Sequence, residues 1–388
     1  MSPTPPPASG PEIMTQHLLN SSLRDGYELV HFNLSKGRTD MDTKAKFDLV
    51  NVFFGLVQPF ALGWAILRHR PDAIYTNLAQ NRWGFLRYAS FIWTAWLFRT
   101  PVVTRVMGEG FGHFYRSTNL RWLVDATVRR IDRVIVRAEL LKKQFEGVIP
   151  LEKLRVIYSG IRVEEFERPD LKEDRPGVVN FLFVGYLSQA KGAFDILRVL
   201  PEVVAEEPDV MFRFMGPRVT VERNVFYIDD IERPPNDVLE ELEVHEAVRS
   251  HARFLGVLSG DAKVREFVSA DVLVFPSHSE AFPTVVLEGM AAGLPVIATP
   301  VGALPEAFDD RGILFNDPGD TAALKESILR IVRDDRLRRD MGRHNYEEVR
   351  RNFTVDCYGA RVRALFDELL GTDAGSGGVI VDADGTSP

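Results

Sequence analysis

Two glutamates, Glu280 and Glu288, have seven residues between them in the segment SHSEAFPTVVLEGMAAG, residues 277–293. The apolar run DVLVFPS (271–277) before it reads as a buried strand. Pro283 suits the first position of a helix and Gly293 the position just past its end, so the spacing predicts a helix over 283–292. Glu280 then stands at the mouth of that helix and Glu288 along it. The first backbone N–H groups of a helix lack intrahelical partners, which makes the stretch from Ala281 through Phe282, Pro283 and Thr284 a ready anion site. A carboxylate accepts hydrogen bonds from two neighbouring hydroxyls, so each acid suits a vicinal diol. A diphosphate carrying a sugar ring at each end meets all three features. The blander alternatives are a charge complementing the helix dipole for Glu280 and a surface carboxylate for Glu288. The second is weakened by the apolar neighbours Val285, Leu287 and Met290.

A second segment, FVGYLSQAKGAFDIL (183–197), reads as strand, loop and helix. Gly185 and Gly192 permit close backbone approach, and Lys191 brings a positive charge to a helix start. Elsewhere a loop lysine is more often a solvated surface residue. No G-x-G-x-x-G follows a predicted strand, which disfavours a nicotinamide-dependent dehydrogenase. The eight histidines and single cysteine show no ligand spacing, so no metal site is expected.

These segments need a scaffold. Apolar runs recur at 180–187, 210–216, 252–258, 271–277, 294–301 and 312–316 in the rear half, and at 27–35, 72–79, 100–108, 132–138 and 154–160 in the front. Most lack polar alternation, as expected of parallel strands covered on both faces. The fold class is α/β: two doubly wound, Rossmann-like domains with a cleft between them as the default ligand site. The charged stretch 162–177 reads as a linker. The chain opens on the proline loop TPPPASG with no strand before it, so the front sheet looks a strand short. The Gly/Ser/Asp-rich segment 371–388 is expected to be disordered.

The 388 residues suit two domains, and a 45% hydrophobic, 26% charged composition is that of a globular chain. A lone cysteine, Cys357, fits a reducing, cytoplasmic setting. Net charge is −8, yet residues 1–175 hold 25 Lys/Arg against 19 Asp/Glu. The basic front half fits peripheral contact with an anionic membrane, or surface charge that drifted without function. Leu49 to Leu67 is uncharged for 19 residues and then meets Arg68-His69-Arg70. Its Asn51, Gln58 and Pro59 favour a buried or interfacial helix over a spanning one. No nucleic-acid partner is indicated.

Taken together, SEAFPTVVLEGMAAGLPVIATPVGALPE (279–306) resembles the signature block of the retaining glycosyltransferases of family 4, with its E-x7-E pair. The likeness is good over about 176–370 and looser over 1–175. It implies a GT-B fold, with domains at 1–170 and 176–344 and a helix over 345–370 crossing back to the first. It further implies that Glu280 contacts the transferred sugar and Glu288 the ribose, while Lys191 and the backbone around Ala281–Thr284 bind the diphosphate. Catalysis then needs Glu280 and Lys191 but no metal or cofactor; the nucleotide-diphosphate sugar is a co-substrate, and the acceptor a glycan or lipid-linked molecule, as in cell-surface polysaccharide assembly.

The sequence departs from the pattern in several places. Tyr186 stands where the family has an arginine, with Arg218 a candidate substitute. Arg105 and Met107 replace the usual histidines, and the acceptor-side candidates are Gly10, Arg105, Glu109 and His113. A catalytically weak homologue that binds a nucleotide sugar or a partner protein is the second reading. A nucleotide-sugar epimerase is a third, without an acid/base pair to support it.

Overall fold

The computed structural model describes residues 10–33, 49–108, 110–219, 235–371 and 377–382. They form two compact units, Met1–Gly160 with Val355–Pro388, and Ile161–Thr354. The first unit begins with α1 (Gly10–Leu19), β1 (Tyr27–His31), α2 (Leu49–His69), β2 (Ala73–Asn77), α3 (Arg82–Leu97) and β3 (Val102–Arg105). It continues through α4 (Phe111–Ser117), α5 (Arg121–Val128), β4 (Arg133–Val136) and β5 (Leu154–Val156).

The second unit holds β6 (Val179–Val184), α6 (Ala193–Glu206), β7 (Val210–Met215), α7 (Pro235–Glu243), α8 (Glu246–His251) and β8 (Ala252–Gly256). There follow α9 (Gly260–Val268), β9 (Val272–Phe275), α10 (Thr284–Ala291), β10 (Val296–Ala298), α11 (Leu304–Ala307), β11 (Ile313–Phe315), α12 (Thr321–Arg333) and α13 (Asp335–Asn352). The chain then returns to the first unit with α14 (Val355–Leu370) and β12 (Gly377–Asp382).

Each of the eleven apolar runs forms a strand, and each unit has one parallel sheet. Strands β2, β3 and β9 are buried at every position, because helices cover both faces. In the first unit, Met14 and Leu18 of α1 and Tyr358, Val362 and Phe366 of α14 pack on Tyr75, Val103 and Ile135 of the sheet. In the second, Phe181 and Phe212 stack across neighbouring strands with ring centroids 4.5 Å apart. They share a core with Phe194 and Leu197 of α6 and with Leu324 and Ile328 of α12.

Three expectations differ from the structure. The tail is not wholly irregular: β12 lies between β1 and β2, with Tyr27 opposite Gly377 and Val379 opposite Ala73. It occupies the place where the sheet looked a strand short, and its Val-Ile-Val run supplies the β-branched residues that favour a strand. The stretch 162–177 is not a free linker either. Val163 and Phe166 are buried, Phe166 meets Phe267 of α9 at 5.3 Å, and the segment belongs to the second unit. Nor does a single helix fill 345–370. The break falls at Phe353-Thr354, and Asn345 is buried in the second unit, donating to the carbonyls of Leu294 and Gly312.

The second sheet runs β11-β10-β9-β6-β7-β8. The direction of winding reverses between β6 and β9, and such a reversal opens a crevice outside the strands' carboxyl ends. Both phosphate-suited loops leave the sheet there.

Below that edge, Glu266 of α9 is almost fully buried and forms a two-pronged pair with Arg213, at 2.6 and 3.0 Å, reinforced by Arg175. Burial pushes its pKa up, but the hydrogen bonds and charges of the two arginines outweigh burial, and the net shift is downward. A lowered folded-state value contributes stability above the unfolded carboxyl pKa, and this is lost as pH falls through the folded value. Glu266→Gln is therefore expected to cost about 1–3 kcal/mol at pH 7, since it leaves the half-buried Arg213 without its counter-charge. The gap to wild type should narrow below about pH 4, the region where carboxylates titrate. Urea unfolding at the two pH values measures both effects.

Candidate functional site

The crevice at the end of β6 and β9 is built by two loops held against each other. Gly192 caps α6 with a left-handed backbone, φ 75°, and a Cβ there would lie 2.0 Å from the carbonyl oxygen of Pro276. Only glycine permits that approach. The His278 N–H donates to the Ala190 carbonyl at 2.9 Å, and the Ser277 hydroxyl donates to the same oxygen at 3.2 Å. On the far side, Gly302, φ 58°, sits where a Cβ would be 2.0 Å from the Glu280 carbonyl oxygen. The Ala303 N–H donates to the Ala281 carbonyl at 3.0 Å. The Glu280 loop is thus gripped from both sides by backbone.

This grip brings Lys191 to Glu280. The ammonium lies 2.5 Å from Oε1, and each side chain is 16% exposed. Ser277 Oγ lies 3.2 Å from the same carboxylate oxygen, which its one hydroxyl proton can serve in place of the Ala190 carbonyl. A second pair braces the loops from behind. His278 Nε2 lies 2.6 Å from Asp195 Oδ2, and Gln189 donates to Asp195 Oδ1 at 2.7 Å.

Helix α10 begins one residue later than its sequence suggests, with Pro283 as the N-cap, and Gly293, φ 74°, follows its end. By the rule of helix termini, the N–H groups of Thr284 and Val285 have no partner within the helix. Glu288 lies on the same helix. Its Oε1 receives the Lys263 ammonium at 2.6 Å, while its Oε2 is buried without a hydrogen-bond partner. A buried carboxylate oxygen left unpaired is costly in isolation and marks a place built for a donor.

Of the remaining predicted residues, Gly185 ends the β6 run, its N–H bonded to the Met215 carbonyl. Phe282 does not offer its ring to a ligand: the side chain is buried and stacks toward Phe308 and Phe353, anchoring the loop. Arg218 does not replace the missing arginine. Its guanidinium is held by Glu243 at 2.5 Å and lies over Phe254, while only its backbone pairs with Leu187.

In the first unit, Arg105 is 2% exposed, bonded to Asn77 and to the Tyr358 hydroxyl, and packed over the Tyr75 ring. It ties β2 and β3 to α14 from within the core, so it is a structural cation and not an acceptor contact. His113 is exposed on α4, Gly10 starts α1, and Glu109 lies outside the described residues. Sequence reasoning missed Lys263, Ser277, His278, Asp195 and Gly302. Ser277, His278, Asp195 and Gly302 lie inside the quoted segments, but Lys263 lies outside them all.

The comparisons bear on this geometry. Residues 164–348 match the model of the glycosyl transferases group 1. An uncharacterised glycosyltransferase of Methanocaldococcus jannaschii is 32% identical over 189 residues, 45% of this chain and 44% of that protein. The chain spans 44–60% of the length of the curated relatives it matches first.

Sucrose-phosphate synthase from Thermosynechococcus elongatus superposes with a TM-score of 0.69, at 19% identity, over 94% of this chain and 95% of that one. The Anabaena protein HepE, crystallised with UDP, superposes with a TM-score of 0.65, at 16% identity, over 81% of this chain and 84% of that one. The fold of the chain is that of these two-unit GT-B proteins. Lys191, Glu280 and Glu288 all lie within the matched residues 164–348.

Proposed function

We propose that this protein transfers a sugar from a nucleotide-diphosphate sugar to a glycan or lipid-linked acceptor, with retention of anomeric configuration and without a metal. One observation carries the reading. Helix α10 has its free N–H end beside the Lys191–Glu280 pair and, along the same helix, a carboxylate with one oxygen braced by Lys263 and the other buried and unpaired.

A diphosphate entering at the helix end competes with Glu280 for the Lys191 ammonium. That exchange frees a Glu280 oxygen to accept from the sugar's hydroxyls, while Glu288 Oε2 accepts from the ribose. As the bond to the sugar breaks, negative charge grows on the departing phosphate. Lys191 and the Thr284 and Val285 N–H groups are already aimed at it, so the rate gain is electrostatic and needs no reorganisation. HepE's crystallisation with UDP supports a uridine-type donor. The acceptor is proposed to lie at an anionic membrane surface on the cytoplasmic side.

Tyr186, in the place where the resemblance expects an arginine, favours a second reading, donor binding without transfer. Incubating the protein with UDP-sugars and lipid or glycan extracts separates the two. The proposal expects release of nucleoside diphosphate and a product whose anomeric proton matches the donor's. Saturable donor binding without any consumption would establish the second reading instead.

A further inference from the structure

The first unit carries a face that its own core does not use. Helix α2 buries Leu62, Ala65 and Ile66 on one side, yet Phe60, Trp64 and Leu67 recur on the other, with Phe60 81% and Trp64 68% exposed. A helix apolar on both sides is buried on both, or it faces something other than water. The neighbouring helix α3 ends alike, on Trp96 and Leu97, the latter 70% exposed. The two helices meet near these residues, where a Cβ on Gly63 would lie 3.2 Å from the Phe98 ring. No helix among the described residues is long and apolar enough to cross a membrane.

The charge around this face is mainly positive, with Asp72 as an exposed carboxylate at the same end. From Leu49 to Val124 the chain has eight arginines, no lysine, and two carboxylates, Asp72 and Glu109. Arg68, Arg70 and Arg99 are exposed at the shared end of α2 and α3, and Arg130 stacks over Trp93 and Trp96 at 3.7 and 4.4 Å.

The backbone at this end adds an independent sign. Arg70 and Arg99 are the non-glycine residues with positive φ among those described, 45° and 57°, and each closes its helix. That position ordinarily takes glycine, because a side chain there strains the backbone. Two adjacent helices each put an arginine where glycine is easier, at the rim of an exposed aromatic stripe.

We propose that this face lies in the interface of a bilayer containing anionic lipids: the stripe of α2, with Trp96 and Leu97, enters the headgroup–acyl boundary, and the arginine rim pairs with lipid phosphates. A convex stripe with a cationic rim fits that surface, whereas a second copy of this chain would set like charge against like. The proposal deepens the membrane part of the function proposed above and leaves the donor site untouched.

Cosedimentation with phosphatidylcholine vesicles, with and without phosphatidylglycerol, tests it. Wild type should favour the anionic vesicles by tenfold or more and lose that preference in high salt, given a factor of about five per arginine near the surface. Trp64→Ser should weaken binding to both vesicle types. A double variant, Arg70→Gly with Arg99→Gly, keeps the helix ends. It should melt no lower than wild type yet lose roughly tenfold to thirtyfold of its anionic affinity. UDP-sugar binding by all variants should match wild type, so failure of the donor reading is scored separately. Equal recovery with neutral and anionic vesicles overturns the proposal. So does a dimer in analytical ultracentrifugation that Trp64→Ser dissociates, with no vesicle binding.

Discussion

Lys191→Ala is expected to lower transfer of sugar from the donor by about 100–1000-fold, the usual loss for one preorganised contact to charge that develops in the transition state. The ammonium reaches Glu280 at 2.5 Å, with both side chains largely buried. Its removal strips the departing diphosphate of a counter-charge and leaves the Glu280 carboxylate beside Ser277 without an ammonium. Both effects raise the barrier. Lys191→Arg should rescue poorly, because a planar fork does not replace a compact ammonium in a space sized for it. Steady-state kinetics of nucleoside diphosphate release measure the loss. A fall smaller than tenfold would remove Lys191 from the chemistry.

A large structural effect is expected from Gly302→Ala. The residue holds φ 58°, and its added methyl would stand 2.0 Å from the Glu280 carbonyl oxygen and 2.6 Å from that of Ala281. Neither neighbour is the end of a flexible side chain; both are backbone that Ala303 and the α10 cap fix in place. Strain of this kind costs about 3 kcal/mol or more. In a unit of this size that lowers Tm by roughly 6–12 °C. Because the displaced atoms belong to Glu280 and Ala281, donor affinity should fall together with Tm. A thermal melt within two degrees of wild type would mean the loop is not held as described.

The sequence made the sheets legible for a physical reason. Strands buried on both faces leave short, unbroken apolar runs, and all eleven such runs became strands. The helix carrying Glu288 was legible because Pro283 and Gly293 punctuate its ends. What escaped is non-local. Lys263 reaches Glu288 across 25 residues and His278 reaches Asp195 across 83, and no spacing rule connects such positions.

Arg105 misled because it stands where the resembled family has a histidine. Fully buried arginines are rare, and the partner that explains this one, Tyr358, lies 253 residues away. Arg218 misled in the same way: its backbone lies where expected, beside Leu187, but Glu243 draws its side chain off. The composition of the tail hid a Val-Ile-Val core that pairs with β1 and β2.

The most direct test is a crystal structure with a UDP-sugar bound. The account predicts the diphosphate on the Lys191 ammonium and the Thr284 and Val285 N–H groups, with Glu288 Oε2 accepting from the ribose and the Lys191–Glu280 pair opened. A diphosphate bound elsewhere, or a Glu288 carboxylate that touches nothing but Lys263 in the complex, would contradict it.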